Sequence, residues 1–247
     1  MTEPPLLAGP RAALSFLTVL PVGGQAAARS VHLGRAWFPA VGLLLGGAAA
    51  GAFWLASGAT TPALAAVLAL ALLAVATGGL HLDGLADAAD GLLGGATAER
   101  RLEIMRDSRV GTFGLVAIVL LLLGDWAVLS GMPPLTVLAA LLAAAAMSRL
   151  AVVCVLVWLP YARPEGLGAA AHGGPPLPDL AVAGVAAALP LALDWRHGVM
   201  AAILVAIAAT GIAALARARI GGATGDVCGA IVEVGQLAAL VGFTVRV

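Results

Sequence analysis

The sequence contains no lysine; all thirteen of its basic residues are arginine. A GC-rich coding sequence accounts for that bias, so it is not by itself a sign of anion binding. Charge of either sign is scarce. Charged residues make up 11% of the chain and cancel to a formal net charge of zero, so no global field favours nucleic acid or an acidic partner. The two cysteines, Cys154 and Cys228, lie far apart in apolar stretches without metal-type spacing and read as small buried hydrophobes. The opening MTEPPLLAGP lacks the basic region and cleavage site of a signal peptide, so insertion is expected to depend on internal spans.

What the chain does have is apolar surface. It is 62% hydrophobic with a mean hydropathy of +1.05, whereas a soluble domain is about half apolar and roughly a quarter charged. An all-α, polytopic membrane bundle follows. A span needs about 20 mostly apolar residues, and seven stretches meet or approach that length: 36–57, 62–80, 112–130, 133–159, 178–193, 197–216 and 227–245. The fifth is short and the seventh contains Glu233. Ahead of them, Arg11 to Val22 reads as an interfacial helix ended by Pro21. No polar loop is long enough to fold alone, so 1–247 reads as one domain.

Arginine placement orients the bundle, because basic residues in short loops favour the cytoplasm. With the N-terminus inside, Arg11, Arg29, Arg35, Arg100, Arg101, Arg106, Arg109, Arg163, Arg217 and Arg219 are all cytoplasmic. Only Arg196 and Arg246 fall outside, and Arg149 lies within a span. The same orientation gathers almost every polar cluster on the cytoplasmic face.

The densest cluster is GGLHLDGLADAADGLLGG, Gly78 to Gly95. Asp83, Asp87 and Asp90 recur at helical spacing and share one stripe. Carboxylates so arranged repel unless a cation sits among them. A divalent ion with oxygen ligands suits them, and Mg²⁺ takes one or two carboxylates plus substrate phosphates. Gly84 and Gly91 flank the stripe and leave room for a bulky group to approach. His81, just before it, is a candidate general base or phosphate contact, set against an interfacial histidine bonded to backbone.

The next block, ERRLEIMRDSRVGTFG (Glu99 to Gly114), offers Arg106 and Arg109 as guanidinium forks for phosphate and Asp107 as a further metal ligand. Arg100 and Arg101 read as ordinary positive-inside residues with acidic partners. In GGATGDVCGAIVE (Gly221 to Glu233), Asp226 and Glu233 share a helix face and suggest another wall of the same site as further metal ligands, with Thr224, and Arg149 of the fourth span, as substrate contacts. Glu233 lies within the membrane, where an ionisable group is a functional hypothesis by default. It could instead pair with Arg149, and Asp125 is a similar candidate. Tyr161, Arg163 and Glu165, in YARPEGLG, could hold a substrate's organic part or merely cap two spans.

Together these blocks resemble the cobalamin synthases, or adenosylcobinamide-GDP ribazoletransferases. The likeness runs in order through LSFLTVLP (14–21), TGGLHLDGLADAADG (77–91), RRLEIMRDSRVGTFG (100–114), Ser148–Arg149, YARPEGLG (161–168) and GGATGDVCGAIVE (221–233). Val19 stands where that family usually has arginine, and Gln236 replaces an acidic residue of its closing pattern. The resemblance implies a Mg²⁺-dependent membrane enzyme that joins adenosylcobinamide-GDP to α-ribazole or its 5′-phosphate and releases GMP. Its partners would be those substrates and the lipid bilayer, not nucleic acid; a homo-oligomer is left open. Its location would be a bacterial inner membrane with the site facing the cytoplasm. The carboxylates at 83, 87 and 90, with Asp107 or Asp226, would hold the metal, Arg106 and Arg109 the remaining charge, and His81 or a carboxylate the proton.

Two other classes were weighed. A CDP-alcohol phosphotransferase also lines up aspartates at a membrane face, but its pattern places Ala-Arg after the first Asp-Gly, where this chain has Ala86-Asp87. An ion-coupled transporter using Asp125, Arg149 and Glu233 would be expected to show repeats and broken helices at the midplane; here the acids cluster at one face.

Overall fold

The computed structural model describes residues 5–22, 31–163, 171–172 and 176–246; Arg29 and Glu165 lie outside them. Among the described residues no strand forms. Helix α1 is Pro5–Leu17 and α2 is Phe38–Ser57, entered through a turn in which His32, Leu33 and Gly34 are left-handed. There follow α3 (Pro62–Ala76), α4 (Leu80–Gly94), α5 (Ala98–Ile104), α6 (Thr112–Gly131) and α7 (Pro134–Trp158). The chain closes with α8 (Pro176–Ala188), a 3-10 turn (Leu189–Ala192), α9 (Trp195–Ile220) and α10 (Gly225–Gly242). The first helix begins earlier than the sequence pattern predicts and stops at Leu17, ahead of Pro21.

Five helices are long and apolar enough to cross a membrane: the one running through α2, then α6, α7, α9 and α10. Helix α3 passes the same test only when joined to α4 across a sharp bend. Burial sorts them. Helix α7 is the central post, 72% of its most apolar stretch being inside the bundle, whereas α6 and α9 are only 22% inside and turn Leu115, Leu120 and Ile207 outward. A lipid-facing surface of that kind is what an apolar solvent permits.

The stretch 178–193 is shorter than a standard span: α8 has 13 residues and the 3-10 turn adds 4. Connectivity nevertheless leads it back along the bundle. Ala162 N donates to Ala223 O and Ala223 N to Pro160 O, both at 2.8 Å, which puts the end of α7 beside the α9–α10 turn. The 26 residues of α9 place its start at the far end, about 39 Å away at 1.5 Å per residue. Residues 176–192 run back toward that start but span only about 28 Å at helical rise. Their near end is tied down by Asp179, whose Oδ2 accepts from Arg35 Nε at 2.8 Å, while Arg35 Nη1 donates to Ala171 O at 2.9 Å.

The break that matters most for the site is between α3 and α4. Gly78 and Gly79 have φ of 61° and 71°, a region only glycine enters cheaply, and the axis turns by 87°. Helix α4, which is not among the five single spans, therefore leaves the line of α3 and packs on α10 and α6, carrying the aspartate stripe with it.

Candidate active site

Helix α4 meets α10 backbone to backbone. A Cβ built on Gly84 would lie 3.1 Å from Asp226 O and from Gly229 Cα, so no larger residue fits without moving a helix. The space that Gly84 frees is taken by α10, and that beside Gly91 by Met105 and Arg101. Gly84 nevertheless lines the cavity described next, whereas the space beside Gly91 is closed. What the glycines accomplish is to bring the acids of two helices together.

Above this contact opens a cavity of about 240 Å³. Its polar lining is His81, Asp83, Arg149, Tyr161, Arg163 and Asp226. Its apolar wall includes Phe16 of α1 and Phe38 of α2, whose rings stack with centroids 5.8 Å apart. Arg163 Nη2 lies 2.9 Å from Asp226 Oδ2, and Thr224 Oγ1 donates to the same oxygen at 3.3 Å. Thr224 also caps α10, its hydroxyl accepting from Val227 N at 3.2 Å. It is fully buried and orients Asp226; it does not line the cavity.

Asp87, one turn along from Asp83, is pushed up to about 7 by burial and by the charges of Asp83, Asp226 and Asp90, against which Arg163 compensates only in part. Such a rise marks crowded carboxylates short of positive charge. Among the described residues no group of three or more acids, histidines or cysteines is arranged as a ready-made metal centre. Two carboxylates completed by phosphate oxygens are all that Mg²⁺ requires; Asp83 and Asp226 line the cavity, and Asp87, which does not line it, feels the charge of both. His81 is buried, and desolvation followed by the Arg149 charge holds its imidazole well below the usual histidine range. It is neutral, as a proton acceptor must be.

Other residues singled out from the sequence go elsewhere. Asp90 Oδ2 accepts from Gly111 N at 2.7 Å and Oδ1 from Gly114 N at 2.9 Å, so both oxygens cap the start of α6. Asp107 forms a two-point pair with Arg109, Oδ1 to Nε at 3.0 Å and Oδ2 to Nη2 at 2.7 Å. That hydrogen bonding holds the exposed Asp107 carboxyl down to about 2. Arg106 and Arg109 are exposed and line neither this cavity nor the one below it. Arg100 pairs with Glu103 at 2.9 Å, while buried Arg101 donates to Gly91 O and Leu92 O. Glu233 lines a second, inner cavity together with Asp125, Arg149 and Gln236. Both cysteines are free and only partly buried.

A family model described as cobalamin-5-phosphate synthase matches residues 9–244. The chain belongs to that family. An adenosylcobinamide-GDP ribazoletransferase of Bradyrhizobium diazoefficiens is 44% identical over 241 residues, covering 95% of this chain and 92% of the relative. One from Chlorobaculum parvum is 40% identical over 240 residues (94% and 93%), and one from an Escherichia coli strain 38% over 239 (92% and 95%). No solved structure matches.

Within this cobalamin-5-phosphate synthase family member, the α1 and α2 wall is the part of the site that residue patterns did not reveal. Phe16 and Leu17 sit in LSFLTVLP, which the sequence presents only as an amphiphilic helix. Nothing local says that their side chains close a cavity floored by α7 and α10. His172, which has no motif of its own, packs against the Tyr161 ring at 6.1 Å and bonds Leu159 O through Nε2 at 2.8 Å.

Proposed function

We propose that the chain is a membrane-embedded adenosylcobinamide-GDP ribazoletransferase, acting in the late joining step of cobalamin assembly. The family match over residues 9–244 carries this reading, and the cavity's mixed lining supports it. A hydroxyl of α-ribazole, or of its 5′-phosphate, attacks the phosphorus attached to cobinamide. A new P–O bond forms, the bond to the GMP phosphate oxygen breaks, and GMP leaves with the electron pair.

Transfer of this kind needs positioning and charge stabilisation more than covalent participation. Arg149 on the floor and Arg163 on the rim reach the pyrophosphate from two sides. Asp83 and Asp87, with Asp226 facing them, would help hold Mg²⁺ beside the substrate's own phosphate oxygens, and the ion would supply positive charge there. Neutral His81 takes the proton of the attacking hydroxyl. The Phe16–Phe38 wall and Tyr161 receive the apolar parts of the substrates. Arg106 and Arg109, at the surface, are placed to draw in an anion before it reaches the cavity. The arginines that the sequence gathers on one side of its spans orient this end toward the cytoplasm, across a bacterial inner membrane.

The test is GMP release by the purified, lipid-reconstituted protein given adenosylcobinamide-GDP, α-ribazole and Mg²⁺. Asp83→Asn is expected to abolish release while the protein remains inserted and folded. An active Asp83→Asn protein would sink the metal assignment, and an inactive wild type the reaction itself.

A further inference from the structure

Along one flank of the bundle, α7 and α9 part to leave a groove of about 450 Å³. Its floor is apolar and buried: Met147 and Val155 of α7 and Val205 and Ala209 of α9 are each 9% exposed or less. One charged residue, Arg217, lines it among the described residues. No residue of the groove also lines the substrate cavity.

The two ends of the groove differ. Trp158 is the last residue of α7, and Arg217 stands in the last turn of α9. The paired backbone bonds between Pro160, Ala162 and Ala223 hold those two helix ends together, so Trp158 and Arg217 mark one end, on the side of the active site. Both are exposed. Tryptophan rings and arginine stems are the side chains that settle at headgroup height. From there the walls run inward about 17 Å along α7, to Met147, and about 23 Å along α9, to Ala202, at helical rise. Half of a bilayer's hydrocarbon core is about 15 Å deep. The groove therefore reaches from the headgroups to just past the midplane. That is the depth of one leaflet's acyl chain, and short of the ~30 Å that a crossing helix needs.

The charge at its mouth sets the headgroup. Arg217 has no acidic partner among the described residues, and Arg219, exposed in the same turn, adds a second positive charge. A zwitterionic headgroup brings as much positive charge as negative to such a pair. An anionic one leaves its phosphate free for the guanidinium fork, and basic pockets between membrane helices bind anionic headgroups in this way. We propose that the α7–α9 groove is a binding site for an anionic phospholipid, with one acyl chain lying along it and the phosphate on Arg217. A second copy of the chain fits less well. A two-fold axis along the membrane normal would set Arg217 against Arg217 at one height, and the groove is too short for a partner's whole span.

The test is native mass spectrometry of the full-length protein released from phosphatidylcholine nanodiscs containing increasing amounts of phosphatidylglycerol. Wild type is expected to keep phosphatidylglycerol bound in preference to phosphatidylcholine. Arg217→Gln should weaken that retention roughly fivefold to tenfold, the value of one arginine to an anionic headgroup. Arg219→Gln removes the same charge from the same turn but does not line the groove, and should change retention little. Ala206→Trp, placed on the exposed rim, should fill the groove and expel the lipid.

Equal retention of the two lipids by wild type overturns the site, as do equal losses in Arg217→Gln and Arg219→Gln. A lipid-free dimer that Ala206→Trp abolishes also overturns it, because the occupant is then a second copy. The arginine comparison decides by itself where Ala206→Trp fails to fold. GMP release enters none of these measurements, so the site stands or falls separately from the transferase reading.

Discussion

Gly229 of α10 and Gly84 of α4 stand so close that a Cβ on the former would lie 3.0 Å from the Cα of the latter. The contact is the hinge pin of the site, because Asp83 and Asp226 reach one cavity only while the two helices touch. Substituting leucine for Gly229 must separate them. Gly229→Leu is expected to reduce GMP release at least tenfold, the scale set by sub-ångström to ångström misplacement of catalytic groups, and to lower the unfolding temperature. Gly229→Ala, which demands only a few tenths of an ångström, should fall between. Full activity in Gly229→Leu would show that the two carboxylates work independently.

A second expectation concerns Asp90, whose two oxygens meet the backbone of Gly111 and Gly114. Asp90→Ala strands both donors at a helix start and should cost about 2 kcal/mol, read as a lowered unfolding temperature in detergent. Asp90→Asn keeps one acceptor and should lose less. The Mg²⁺ concentration giving half-maximal activity should stay put in both; a large rise would return Asp90 to the metal's ligands.

The case of Asp90 also shows how far the sequence could be read. The stripe at 83, 87 and 90 is visible as periodicity, and its placement at a membrane boundary follows from hydropathy. That Asp90 caps α6 depends on contacts 21 and 24 residues away, which no helical spacing encodes. The same holds for the Arg35–Asp179 pair, separated by 144 positions, which ties α8 to the entrance of α2. Spans were legible because bilayer thickness sets their length; the stretch at 178–193 blurred that signal, being only a short helix plus a 3-10 turn. The metal-site reading of Glu233 weakened for a similar reason: α10 carries it inward to Arg149, two turns from Asp226. The glycines of the motif were recognised as making room, but a sequence cannot say for what, and here it was another helix.

Acidity gives a third prediction. Asp87 is pushed up to about 7, above its ordinary carboxylate value. Between that ordinary value and about 7 the folded protein binds more protons than the unfolded chain, so metal-free stability falls as pH rises through this window. Mg²⁺ must displace the same proton. Its apparent affinity should therefore increase from pH 6 to about 7 and level off above, and its stabilising effect on thermal unfolding should follow the same course. A pH-independent Mg²⁺ requirement across that range would separate Asp87 from the metal.

Arg163 supplies a fourth. It pairs with Asp226 across the mouth of the cavity at 2.9 Å and is the positive charge that partly relieves Asp87. Arg163→Ala should raise KM for adenosylcobinamide-GDP roughly tenfold, the value of one charge-assisted phosphate contact at about 1.5–3 kcal/mol. Arg163→Lys should recover only part of it, since the ammonium lacks the planar fork. Steady-state kinetics with varied nucleotide substrate would show an unchanged KM if Arg163 serves only the loop.

The right-angle joint at Gly78–Gly79 couples the reaction to the thickness of its lipid. A span that meets a thinner or thicker hydrocarbon layer adjusts by tilting, and a tilt of α3 becomes, past an 87° corner, a swing of α4 along the membrane surface. The carboxylates on α4 would then shift against Arg149 and Asp226, which stand on helices that cross independently. Acyl-chain length thus acts as a mechanical setting of the active site, entering through two glycines rather than through any bound effector.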